Sequence, residues 1–217
     1  MRSIKWLSII YMFVFFLTPC ASAEIKHQTL SGTINIDSWK SMRDQGVVKQ
    51  NFDFSCGSAS LASVLSGFYG LKVSEKDVLD KMEKDGAASF ADLAQVAKSY
   101  GFKAGGIMLS MNQLMQLKIP VIVYLNYRGG DHFSVVRGVS SEWVWLGDPS
   151  WGNKKLRKEQ FLSMWEGTKH KGKALLILPK NIADSLVKSA FFGFSKVNAL
   201  PYEVLSNRLI TNTFMRN

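Results

Sequence analysis

Residues 50–70 read QNFDFSCGSASLASVLSGFYG, and the change of texture at Cys56 decides how the chain folds. Upstream, Phe52, Asp53, Phe54 and Ser55 read as an extended segment. Downstream, small residues and aliphatics recur at helical spacing (Ala59, Ala62, Leu65), as in a buried helix ending near Gly70. Cys56 therefore stands at a helix N-terminus, where the positive end of the macrodipole favours a thiolate. Gly57 and Ser58 leave room for a substrate backbone to approach. Position alone does not separate this reading from a buried, unreactive cysteine, the commoner state of isolated thiols.

Outward from this helix, three more are announced by capping boxes: Ser74 with Asp77, Ser89 with Asp92, and Ser110 with Gln113. Gly101 closes the second of these as a C-terminal cap. The texture then changes. Residues 119–127 read as a strand, 128–131 as a Gly-Gly turn, 132–139 as a returning strand and 142–147 as a third. A short helix over 158–165 and a strand over 174–178 follow. Another strand is indicated at 30–36. Helices early and an antiparallel meander late make the class α+β, with the Cys helix packed on a C-terminal sheet.

The 217 residues suit one medium domain, and 47% hydrophobic with 20% charged residues is ordinary for a globular protein. Residues 1–23 are set aside as a signal peptide. Arg2 and Lys5 precede an uncharged, mostly apolar run at 6–17, and Ala21-Ser22-Ala23 forms a cleavage site. As a helix the run spans about 18 Å, short of a hydrocarbon core of about 30 Å. A permanent anchor is therefore the weaker reading. Lipidation at Cys20 is a minority reading, because Pro19 is a poor neighbour for it. The resulting plan is a signal peptide at 1–23, an extension at 24–46, a domain at 47–179 and a tail at 180–217. The tail carries Phe191, Phe192 and Phe194 and is expected to pack on the domain.

Removing Arg2 and Lys5 lowers the formal net charge of +10 by two. The basic residues are scattered, without an arginine stripe or aromatic platform, so no nucleic-acid partner is expected. Cys56 remains as the one cysteine of the exported chain. Retained in an oxidising compartment, such a thiol is either buried and inert or needed for chemistry.

A thiol is a weak nucleophile without a partner base. Three histidines are available: His27 near the mature N-terminus, His170 in a lysine-rich loop, and His132 opening a central strand. His132 is the best supported by rigid structure; the bland alternative is a strand-end histidine half in solvent. Asp148 closes the next strand, and pairing of 132–139 with 142–147 brings it beside His132. A carboxylate there fixes the ring tautomer, although Asp before Pro is also a common turn opener. Asp131 is the rival orienter, poorly placed as the chain neighbour of His132. Gln50 precedes Cys56 by six residues, where its amide and the Cys56 backbone N–H suit an oxyanion; losing one such donor costs about 3–4 kcal/mol. P-loop, nucleophile-elbow, dinucleotide and metal-ligand patterns are all missing, so neither a metal nor an organic cofactor is implied.

These residues resemble a known family. The stretch 50–57, then Asp131-His132-Phe133-Ser134-Val135-Val136, then Gly147-Asp148-Pro149 is similar to the bacteriocin-processing cysteine peptidases, best known from peptide-exporting ABC transporters. The resemblance runs from about residue 47 to about 179. It implies a papain-like fold, Cys56, His132 and Asp148 as triad, and Gln50 as oxyanion donor. A signal peptide precedes and no transporter segment or ATPase follows, so the domain is expected in the periplasm of a Gram-negative bacterium, with Gly-Gly specificity in doubt. It resembles a stand-alone exported branch that accompanies functional-amyloid secretion. The expected partner is a peptide or protein substrate, an amyloid or secretion-system component among the candidates. Transamidation, and a binding accessory that cleaves little, are the rival functions.

Overall fold

The computed structural model describes residues 38–84, 86–127, 129–180 and 191. The expected signal peptide, most of the extension, the strand at 30–36, His27, Cys20, Phe192 and Phe194 lie outside these residues. Among the described residues, no helix is long and apolar enough to cross a membrane.

Helix α1 (Trp39–Asp44) comes first and buries none of its residues. Helix α2 (Cys56–Ser63) is the opposite: all eight residues are buried. Its small side chains let it lie at the centre of the helical layer. The regular helix stops before the expected end, and a π-helical turn (Val64–Phe68) carries the chain on towards Gly70, whose φ is +74°. Ser63 and Ser66 donate to the carbonyls of Ala59 and Ala62 here, competition known to bend helices. Gly67 in this turn makes room for Phe191, whose ring would stand 2.4 Å from a Cβ at that position.

Helices α3 (Glu75–Met82), α4 (Phe90–Ser99) and α5 (Met111–Gln116) each begin with the capping box read from the sequence, the serine hydroxyl and the third-position side chain satisfying each other's backbone N–H. Helix α6 (Lys158–Trp165) completes the set.

A six-stranded antiparallel sheet backs these helices: β1 (Phe102–Leu109), β2 (Val121–Tyr127), β3 (Gly130–Val139), β4 (Trp143–Asp148), β5 (Gly152–Arg157) and β6 (Gly172–Pro179). Their spatial order is β1-β6-β2-β3-β4-β5, so the last strand inserts between the first two. Two strands were not expected. β1 hides its pattern behind Gly105 and Gly106, where the ring of Phe90 lies over the backbone. β5 is polar because it is an edge strand; its cations lie on tryptophans of β4, with Lys155 Nζ 4.1 Å from the Trp143 ring centre.

Alternation along the strands divides the core. Ile122, Phe133, Val135, Leu175 and Ile177 meet α2, α3 and α4 on one face. Val121, Val123, Leu125, Val136 and Leu146 meet α5 and α6 on the other. The chain is thus α+β, with the Cys helix packed on the sheet as expected.

Candidate active site

The stretch 52–55, expected to be extended, is instead a turn, closed by the Ser55 N–H on the Phe52 carbonyl at 3.1 Å. The Ser55 hydroxyl accepts from the Phe52 N–H at 3.1 Å and donates to the Phe52 carbonyl at 2.8 Å, tightening the turn that delivers the chain into α2. Cys56 is the first residue of that helix, a free thiol with 7% of its surface exposed.

Across from it, His132 sits near the start of β3, paired in register with Leu125 of β2. Its Nε2 lies 3.2 Å from Oδ2 of Asp148, at the end of β4. Its ring also faces the Cys56 thiol, near enough for each group to shift the other's protonation. With Nε2 committed to the carboxylate, Nδ1 is the nitrogen left to face sulfur. The order Cys56, His132, Asp148 is therefore one continuous chain of contacts.

The electrostatics follow from this chain. Burial pushes the Cys56 thiol up, but the His132 hydrogen bond and charge, with the backbone amides of Phe133 and Gly57, bring it net below its ordinary value. Burial pushes His132 down, yet Asp148 and Cys56 together raise it to about 9. Burial likewise raises Asp148, outweighed by His132, Lys154 and the Trp151 amide, which hold its carboxyl low. All three shifts favour a thiolate–imidazolium pair beside a carboxylate.

Asp148 does two jobs with its two oxygens. Oδ1 accepts from the N–H groups of Ser150 at 2.9 Å and Trp151 at 3.1 Å, and Oδ2 faces the histidine. The carboxylate thus opens the turn with one oxygen and stands beside the histidine with the other. The rival Asp131 is engaged elsewhere, accepting from the Tyr124 hydroxyl. His170 is exposed and lies 3.5 Å from Glu166, away from this cluster.

Gln50 bridges the two loops that meet here. Its backbone N–H donates to Pro149 at 3.1 Å, its Oε1 accepts from the Ser150 hydroxyl at 2.7 Å, and its Nε2 donates to Phe52 at 2.9 Å. The Phe52 carbonyl can only accept and so fixes which end of the amide is nitrogen, leaving one Nε2–H without a hydrogen bond among the described residues. Sequence reading missed Ser150, and it missed Lys154, whose Nζ is 3.9 Å from Asp148 Oδ2 and lies against the Trp151 ring. The Asp-Pro-Ser-Trp turn was the available signal for Ser150; nothing marked Lys154.

A cleft of about 310 Å³ opens on the α6 side, lined by His132 and Asp148 with Leu125, Leu146, Leu156 and Met164. Its apolar walls suit a side chain of a bound polypeptide. A wider hollow of about 590 Å³ beside α1 contains none of the four candidate residues. No group of metal ligands occurs among the described residues.

Residues 44–180 match the model of the peptidase C39 family. The chain is 35% identical, over 140 residues, to a probable functional amyloid protease, FapD, of Pseudomonas fluorescens, and 34% identical to its counterpart in Pseudomonas aeruginosa. In each case the match takes in 61% of this chain and 62% of the relative's length. Among solved structures, the peptidase domain of Streptococcus ComA, a bi-functional ABC transporter, superimposes with a TM-score of 0.55 at 27% identity, over 62% of this chain and 98% of that one. A double-glycine-motif protease from an AMS/PCAT transporter, solved with its leader peptide, gives 0.52 at 27% identity, over 61% and 90%.

Proposed function

The chain belongs to the peptidase C39 family, and from that premise we propose that it is a cysteine peptidase cleaving a peptide or secreted protein in the periplasm. The observation that carries the reading is the unbroken contact from Cys56 through His132 to Asp148, with the thiol held below its ordinary value and the imidazole above. Residues 1–23, read as a signal peptide, support the location. The likeness to probable functional amyloid proteases supports a substrate from functional-amyloid secretion, and the leader-peptide complex of a structural neighbour supports an extended peptide as the bound form.

The chemistry proceeds in two halves. The Cys56 thiolate adds to the scissile carbonyl carbon, and the carbonyl electrons move to oxygen, held by the free Gln50 N–H and the Cys56 backbone N–H. The intermediate collapses, the C–N bond breaks, and His132 passes its proton to the departing amine. Water then attacks the thioester, giving its proton to His132, and the carboxylate product leaves as the thiolate re-forms. Asp148 holds the imidazole in the required tautomer throughout.

Mass spectrometry of the secreted amyloid subunits, incubated with purified protein, tests the reading. Cys56→Ala should lower cleavage on the order of 10⁴-fold while the circular dichroism spectrum stays unchanged. Cleavage that survives this substitution rules out the thiol mechanism. Amine transfer outpacing hydrolysis would make the protein a transamidase, and sluggish Cys56 labelling with no cleavage would make it a binding accessory.

A further inference from the structure

Glu75 is buried, with 2% of its surface exposed, although it opens α3 at the edge of a polar loop. Both of its oxygens turn to one residue. Oε1 accepts from the Asn51 backbone N–H at 2.9 Å, and Oε2 accepts from the Asn51 side-chain amide. A carboxylate taken out of water is costly unless its oxygens are matched. Here the match is complete, and the first turn of α3 adds a favourable dipole.

The target of this clasp is informative. Asn51 is exposed and follows Gln50 directly, on the loop that ends at Cys56. Other ties hold the loop at its ends: Gln50 to Pro149 and Ser150, and Phe52 to Ser55. Two ties at Gln50 run to the turn that also carries Asp148, and its Nε2 reaches forward to the Phe52 carbonyl. Asn51 ties the middle of the loop to α3 of the helical layer, while upstream the Val48 N–H donates to Ser63 of α2. The clasp therefore ties the amide of one layer to the sulfur of the other.

We propose that Glu75 is a positioning residue, its grip on Asn51 holding the Gln50 amide aimed at the oxyanion that forms over Cys56. This rests on the peptidase reading above. Two reactions at the same sulfur separate the role from general support of the fold. Alkylation by iodoacetamide displaces iodide and forms no oxyanion. Acylation by N-acetylglycine 4-nitrophenyl ester passes through one: sulfur adds to the carbonyl carbon, and 4-nitrophenolate leaves as the thioester forms.

In Glu75→Ala the burst of 4-nitrophenolate should slow about 100-fold, the size of effect expected when a reacting group shifts by about 1 Å. Iodoacetamide labelling should stay within about two-fold of wild type, because the His132 partnership is untouched. Asn51→Asp sets two carboxylates against each other and should match that loss. Glu75→Gln should stay within about three-fold, since its amide can accept from the Asn51 N–H and donate to a rotated Asn51 side chain. These two variants preserve side-chain volume and carry the test if Glu75→Ala does not fold. An unchanged ratio of acylation to alkylation in Glu75→Ala and Asn51→Asp, or equal slowing of both reactions, overturns the proposal. A wild-type protein that alkylates quickly but gives no Cys56-dependent burst overturns the peptidase reading itself.

Discussion

Cys56 comes from the most deeply packed helix of the molecule, whereas His132 and Asp148 come from the ends of neighbouring strands, near the rim of the sheet. On the helical side, the nucleophile is located by close packing: every residue of α2 is buried, and Phe133, Ala88 and Leu93 crowd Gly57 to within 3.3 Å of where a Cβ would stand. On the sheet side, the base and its partner are located by hydrogen bonds within the Asp148–Trp151 turn and across to Gln50. Packing resists small displacements in every direction, while hydrogen bonds fix direction and protonation. The division suits the roles, because sulfur must be in place and the imidazole must be correctly oriented and charged.

The contrast can be broken first at Asp148. In Asp148→Asn the turn can persist, because an amide oxygen still accepts from Ser150 and Trp151, but the NH₂ now faces Nε2 and reverses the tautomer. Turnover should fall by roughly 10²-fold or more with the melting temperature nearly unchanged. A large drop in melting temperature with full residual activity would show the turn, not the orientation, to be its main contribution.

A finer test uses pH. A thiol held below its ordinary value and an imidazole raised to about 9 give an ion pair between those two points. Iodoacetamide labelling of Cys56 should therefore set in at lower pH than for an ordinary thiol and hold level until about pH 9. In His132→Ala the thiol loses its largest lowering partner and keeps only the Phe133 and Gly57 amides against burial, so labelling at pH 7 should drop about ten-fold and keep climbing past pH 9. Identical profiles would mean that the imidazole does not activate the sulfur.

The smallest effect on chemistry is expected far from these strand ends. Phe191 packs over Gly67 and Phe68, and the Arg137 guanidinium stands 4.3 Å from its ring centre and donates to its carbonyl. Phe191→Ala should cost about 3 kcal/mol of stability, read from denaturant unfolding, while turnover at low temperature stays within about two-fold. A parallel loss of turnover would tie this socket to the site.

How much of this was legible in the sequence depended on whether the deciding contacts were local. The capping boxes of Ser74, Ser89 and Ser110 span four residues each and appear in the structure as read. The 132–147 hairpin was legible for the same reason, and it carried Asp148 to His132. By contrast, β1 and β5 take their identity from partners distant in space or from an edge position. Gly105 and Gly106 look like a turn until β6 pairs with them, and Lys154 and Lys155 look like a solvated loop until Tyr127 and Trp151 lie beneath the first and the β4 tryptophans beneath the second. Glu75 was invisible for a related reason: as the first residue after a helix cap it looks like an ordinary exposed acid, and only the fold brings Asn51 to it.

The edge position of β5 has one more consequence. An unpaired strand edge invites another strand, and charges set along it are a common deterrent. Lys154, Lys155 and Arg157 occupy this edge, and at its start Asp44 and Arg43 of α1 stand where a Cβ on Gly152 would clash. Extending the sheet here with a second copy would bring cation against cation, so the charges disfavour edge-to-edge pairing at the side nearest the Asp148 turn.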